Sequence, residues 1–138
     1  MTEDLLERKE GRVAILTMNR PDRLNAMSGP MLDALVESLN RLADDNDIGC
    51  VILTGAGRGF CAGGDVKAMA EGNEFTDTTM EGKARALRAK METSRLLHEM
   101  PKPTIAMVRG PVAGAGLSLA LACDMRVASE TMRMTSAF

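Results

Sequence analysis

The chain has 138 residues, with 17 Lys and Arg against 19 Asp and Glu, one His, three Cys, twelve Met and neither Trp nor Tyr. A content of 45% hydrophobic and 26% charged residues is that of a globular chain with a buried core, which excludes a disordered one and suits a single domain over residues 1–138. The formal charge of −2 supplies no electrostatic drive toward nucleic acid or an anionic membrane, so neither is expected as a partner.

Cys50, Cys61 and Cys123 are odd in number, far apart and without a C-x-x-C pair. That pattern argues against a disulfide framework and a structural zinc site; no metal is expected, and a reducing cytoplasm is the expected location. The amino end is charged from Glu3 onward and lacks the apolar run of a signal peptide. The longest uncharged stretch, Gly110 to Cys123, falls short of the roughly 20 residues that cross a bilayer.

In chain order, Arg12 to Asn19 is a short apolar run closed by Arg20-Pro21-Asp22, which predicts a strand and a turn. Pro30, just after the capping candidate Ser28, opens a helix to Asp44 whose Met31, Leu32, Leu35, Leu39 and Leu42 recur at helical spacing. Cys50 to Thr54 is apolar throughout, as a strand buried on both faces would be. This β-α-β order predicts an α/β layer with a parallel sheet. A short helix is expected over Val66 to Glu71 and a polar, mobile loop over Gly72 to Thr79. Glu81 to Met100 predicts one long helix with Ala84, Leu87, Met91, Ser94 and Leu97 along one side, ended by Pro101 and Pro103. Thr104 to Val108 is a second buried strand, Leu117 to Cys123 a helix, and Arg126 to Ala128 a third strand.

Two segments share a plan of buried strand, glycine-rich turn and helix. The first runs from Gly55 through Cys61-Ala62-Gly63-Gly64-Asp65, the second over Gly110-Pro111-Val112-Ala113-Gly114-Ala115-Gly116. The first N–H groups of a helix have no intrahelical acceptor and lie at its electropositive end. Two such turns side by side could hold one oxyanion, provided their residues are small enough to let it approach. Taken alone, the glycines are also accounted for by tight turns at strand ends. Phosphate-binding patterns fit poorly: a G-x-G-x-x-G from Gly55 meets Phe60 at its last glycine, one from Gly114 meets Leu119, and no P-loop occurs.

Taken together, Asn19-Arg20-Pro21, Leu24-Asn25-Ala26-Met27, Phe60 to Asp65, Lys102 to Ala106, Gly110 to Gly116 and Ala122-Cys123-Asp124 resemble the enoyl-CoA hydratase/isomerase (crotonase) superfamily over residues 12 to 130. The resemblance implies an α/β fold, a spiral of ββα units that is incomplete here. Residues 1–138 would be the N-terminal part of an acyl-CoA-binding core domain, without the helical region that closes the site and builds trimers. An open sheet edge and uncovered apolar faces are then expected, and this chain by itself should be unstable and inactive. The implied chemistry is stabilisation of a thioester enolate. The implied donors, carried over by position, are the backbone N–H groups of Ala62 and Ala115. The implied CoA surface is Arg23, Leu24, Ala62, Gly63, Gly64, Asp65 and Lys67, with Arg23 and Lys67 facing phosphates or serving as ordinary solvated charges. No tightly bound cofactor is implied, since the substrate carries the coenzyme A; the complete protein would be a homotrimer or hexamer.

The family's hydratases carry glutamates where this chain has Ser118 and Phe138. Hydration needs general acid–base groups, so the resemblance is rather to isomerases of the family, in which an aspartate further along acts. The alternative is a catalytically silent CoA-binding relative. Ser118 in Gly116-Leu117-Ser118-Leu119-Ala120 is a near miss to the G-x-S-x-G elbow, but the one histidine, His98, precedes it. Ser118 is expected to bond to backbone in a buried helix or to line an acyl pocket. His98 is read as a structural or surface residue near a helix end, Asp65 as the cap of the short helix or a polar contact to CoA, and Cys61 as lacking an activating base. The methionines are adaptable packing, with a few available to line a broad pocket.

Overall fold

A computed structural model describes residues 2–72 and 79–137. Strand β1 (Leu5–Glu10) and strand β2 (Val13–Met18) form a hairpin with Leu5 opposite Met18 and Glu10 opposite Val13. Gly11, at φ +57°, makes the turn. A single 3-10 turn at Pro21–Arg23 leads to helix α1 (Gly29–Asp44), where the Ser28 side chain accepts the Met31 N–H at 3.1 Å. Strand β3 (Cys50–Gly55) pairs parallel to β2, and helix α2 (Val66–Ala70) follows the first glycine-rich turn.

Helices α3 (Met80–Lys90) and α4 (Glu92–Glu99) stand where one long helix was expected. The ladder breaks at Met91, whose N–H reaches both Leu87 and Arg88 carbonyls. Thr93 and Leu97 are buried, whereas Leu87 and Met91 are more than half exposed. Only the α4 part of the predicted stripe finds a core to face, so the two helices need not share an axis. The loop expected at Gly72 to Thr79 lies mostly outside the described residues.

Strand β4 (Thr104–Val108) pairs parallel to β3; strand β5 (Pro111–Ala113), helix α5 (Ala115–Ala122), strand β6 (Met125–Ala128) and strand β7 (Arg133–Thr135) complete the order. The main sheet runs β1-β2-β3-β4-β6, parallel except at β1, and β5 pairs with β7 in a separate two-stranded sheet. This is a mixed α/β fold with a parallel-dominated sheet, as expected.

The core gathers Leu16, Met18, Met31, Leu35, Leu39, Leu42, Leu53 and Leu97, with α1 lying along β1 and β2 and against α4. Burial alternates along β3 and β4: Val51, Leu53, Ala106 and Val108 are covered, while Cys50, Ile52 and Ile105 are only half covered and Met107 is exposed. The β3 strand is therefore covered more fully on the face of Val51 and Leu53 than on that of Cys50 and Ile52, not equally on both. Met125 and Val127 of the edge strand β6 are exposed, as is Leu121 of α5. No described helix is long and apolar enough to cross a membrane.

Candidate active site

The two glycine-rich turns lie against each other. The N–H groups of Phe60 and Cys61 both donate to the Pro111 carbonyl (3.1 and 3.2 Å), and the Ala113 N–H donates to Cys61 O at 3.0 Å. Phe60 is fully buried and anchors the first turn in the core. The backbones meet so closely that side chains are excluded. A Cβ on Gly116 would stand 2.4 Å from Cys61 O, and one on Gly63 would stand 3.0 Å from Ala113 O and 3.6 Å from Ala115 N. Gly63 also has φ +104°, a conformation that an L side chain strains.

One N–H group expected to serve as a donor is instead used by the fold. The Ala62 N–H donates to the Leu24 carbonyl at 2.9 Å, so it is committed within the fold and does not face a ligand. The chain next bridges Met27 at Gly64, with the Met27 N–H donating to Gly63 O at 2.8 Å. In a parallel bridge of this kind the groups flanking Gly64 do the pairing, and its own N–H points away from Met27. Among the described residues the N–H groups of Gly64 and Ala115 meet no acceptor. Ala115 opens α5 after Gly114 (φ +54°), where a helix leaves its first amides free.

The segment 20–27 supports the first turn from the other side. Arg20 donates from Nη1 to Ala26 O at 2.6 Å and pairs through Nη2 with Asp65 Oδ2 at 3.1 Å. Asp65 also accepts the Ala68 N–H at 3.1 Å and so caps α2. These two partners, the Ala68 N–H foremost, hold its carboxyl below the usual carboxylate range. Leu24 is thus brought against Ala62, with Arg23 exposed beside it; Lys67 is exposed in the first turn of α2. The sequence reading assigned no role to Arg20 and Asn25, although both lie in motifs quoted for the resemblance; Asn25 is a buried junction whose signal is an amide side chain just after a proline turn.

The Cys61 thiol is fully buried, donates to Asn25 O at 3.2 Å, and is pushed up to about 11 by burial, which removes it as a nucleophile at neutral pH. Ser118 is half-buried in α5, and His98 is exposed in the last turn of α4. Among the described residues no hydrogen bond joins them. Two concavities, of about 1280 Å³ along β1 and α1 and about 600 Å³ between α1 and α3, lie away from both turns.

The enoyl-CoA hydratase/isomerase family model matches residues 13–137. A probable enoyl-CoA hydratase (echA12) of Mycobacterium leprae is 42% identical over 118 residues, which are 85% of this chain and 40% of that protein. The 1,2-epoxyphenylacetyl-CoA isomerase of Escherichia coli is 40% identical over 143 residues, covering 100% of this chain and 52% of the relative. Among solved structures, an enoyl-CoA hydratase/isomerase from Xanthobacter autotrophicus Py2 superimposes with a TM-score of 0.90 at 34% identity, over 97% of this chain and 49% of that one. The chain spans about half the length of the curated relatives it matches. Its mixed α/β fold matches the crotonase fold of these structures, and the chain belongs to the enoyl-CoA hydratase/isomerase family.

Proposed function

We propose that this chain forms the enolate-stabilising part of an acyl-CoA-processing enzyme, of isomerase rather than hydratase type. The observation that carries the reading is the meeting of the two strand–turn–helix units, with Gly63 against Ala113 and Ala115. The thioester oxygen is received by the N–H groups of Gly64 and Ala115, the first of these taking the place assigned to Ala62 in the sequence. As negative charge grows on that oxygen, two fixed donors stabilise it at no cost in reorganisation. The developing charge also lies at the positive end of α5.

The coenzyme runs along Arg23, Leu24 and the Ala62 to Lys67 segment, its phosphates near Arg23 and Lys67. No resident cofactor is needed, because the thioester itself acidifies the α-carbon. The carboxylate nearest in sequence to the first turn, Asp65, is occupied by Ala68 N–H and Arg20, and Asp124 accepts from Thr104 N at the far end of α5. Ser118 is no base for water in an otherwise apolar helix, which favours isomerisation over hydration. The proton-shuttling group belongs to the part of the relatives' length that this chain does not span, and the complete enzyme assembles as a homotrimer or hexamer in the cytoplasm.

The test uses the full-length protein in deuterated solvent with a bound acyl-CoA. Washout of the α-proton supports the enzyme. Tight binding without washout supports a silent CoA-binding relative, and neither binding nor washout rejects both.

A further inference from the structure

Asn25 is wholly buried and left-handed (φ +56°), following Leu24 in the same conformation (φ +50°). Two such residues in succession, neither of them glycine, are held only where surroundings over-determine them. The surroundings here are hydrogen bonds from every polar group of Asn25. Its Oδ1 accepts the Arg20 N–H at 2.8 Å, and its Nδ2 donates to the carbonyls of Ala56 and Gly59, both at 2.9 Å. Its own N–H donates to Arg20 O at 2.9 Å, and its carbonyl accepts the Cys61 thiol. A Cβ on Gly55 would lie 2.7 Å from Nδ2, so the end of β3 is shaped around this amide.

Residues 20–27 and the loop 55–59 therefore converge on the Asn25 side chain, and Cys61 of the first glycine-rich turn binds its main-chain carbonyl. The left-handed pair aims the Leu24 carbonyl at Ala62 N, and Met27, two residues on, holds Gly63 O. Both backbone bonds that segment 20–27 makes to the turn bearing Gly64 descend from the path fixed at Asn25. An aspartate of the same shape could not replace it, since its second oxygen would face two carbonyl oxygens where Asn25 presents two donor hydrogens.

We propose, resting on the reading given under Proposed function, that Asn25 is a positioning residue for the oxyanion-binding turn. It acts through Leu24 and Met27 to fix the direction of the Gly64 N–H, and it contacts neither substrate nor coenzyme. Its removal should loosen the donor without removing the coenzyme surface. Activation should then suffer more than binding.

The experiment compares Asn25→Asp and Asn25→Gly in the full-length protein. The glycine variant keeps the left-handed backbone free of strain and loses only the side-chain bonds. The readouts are the α-proton exchange rate in deuterated water, the Kd for an acyl-CoA, and the infrared shift of the bound thioester carbonyl, each referred to the folded fraction. Exchange is expected to fall about 10- to 100-fold, as for a misplaced group, with Kd changed less than about threefold and the carbonyl shift reduced. Unchanged exchange and carbonyl shift in either folded variant overturns the proposal. So does a parallel loss of exchange and binding, or a failure of both variants to fold, since Asn25 would then serve the fold alone. If the unaltered protein shows neither exchange nor a carbonyl shift, the functional reading itself fails, and that outcome is distinct from the others.

Discussion

The Ala62 N–H lies 2.9 Å from the Leu24 carbonyl, and this bond joins the proposed coenzyme surface to the first glycine-rich turn. It makes the two prolines one could place at the turns unequal. Ala62→Pro removes a donor that the fold uses and leaves Leu24 O unmatched, at a cost of about 1–3 kcal/mol. Ala115→Pro removes a donor that no described residue uses, at the first position of a helix, where proline is tolerated. In the full-length protein Ala115→Pro should keep its melting temperature and lose about 10²–10³ in α-proton exchange. Thermal denaturation beside the exchange assay checks both; survival of exchange within tenfold would show that Ala115 donates nothing to the reacting oxygen.

The glycines of the site differ in what they permit. On Gly64 a Cβ meets only the far end of Met69, 2.5 Å away, and that flexible side chain can swing aside. On Gly116 it meets the Cys61 carbonyl and Cβ, which are fixed. Gly116→Ala should therefore destabilise by about 1–3 kcal/mol through overpacking, and Gly64→Ala by clearly less. Denaturant midpoints of the two variants give the comparison; equal losses would mean that the turns are not packed backbone to backbone.

Much of this arrangement was legible in the sequence, and the failures have local causes. Helix α1, strands β2, β3 and β4 and the cap at Asp65 follow from apolar spacing and one capping residue each. Strand β1 was missed because Leu-Leu-Glu-Arg-Lys-Glu buries only Leu5, and an edge strand solvated on most sides shows no alternation. Strands β5 and β7 are three residues each and carry no pattern of their own. The commitment of Ala62 to Leu24 could not be foreseen, since it depends on two left-handed residues, Leu24 and Asn25, that propensity disfavours. Sequence placed the small residues at the turns correctly, but which amide is left over is a property of the pairing.

Asp65 carries a prediction that links α2 to acid stability. Its carboxylate caps the helix and pairs with Arg20, so Asp65→Ala should cost about 1 kcal/mol, the usual value of a lost cap. The folded-state pKa is lowered, so this contribution is present above the unfolded carboxylate value and disappears as pH falls through the folded one. The difference in stability between the parent protein and the variant should be full at neutral pH and shrink below about pH 4. Paired denaturation curves across that range decide it, and a difference that persists unchanged in acid would mean that the ionised form is not what α2 uses.

The cysteines make the opposite case at the alkaline end. Burial pushes the thiols of Cys61 and Cys123 up to about 11, and raises Cys50, which is only half-buried, in the same direction. A raised thiol pKa in the fold means that the folded state holds protons the unfolded chain gives up. Its stabilisation is complete below the unfolded value of about 8.5 and lost as pH rises toward the folded one. Stability should thus decline between about pH 9 and pH 11, and less so in Cys61→Ser, whose hydroxyl does not titrate there. At pH 8 a thiol-specific alkylating reagent should modify Cys50 first and reach Cys61 and Cys123 only on unfolding. Modification of Cys61 at the rate of Cys50 in the folded protein would show that the first turn opens, and with it the pairing that directs the Gly64 amide.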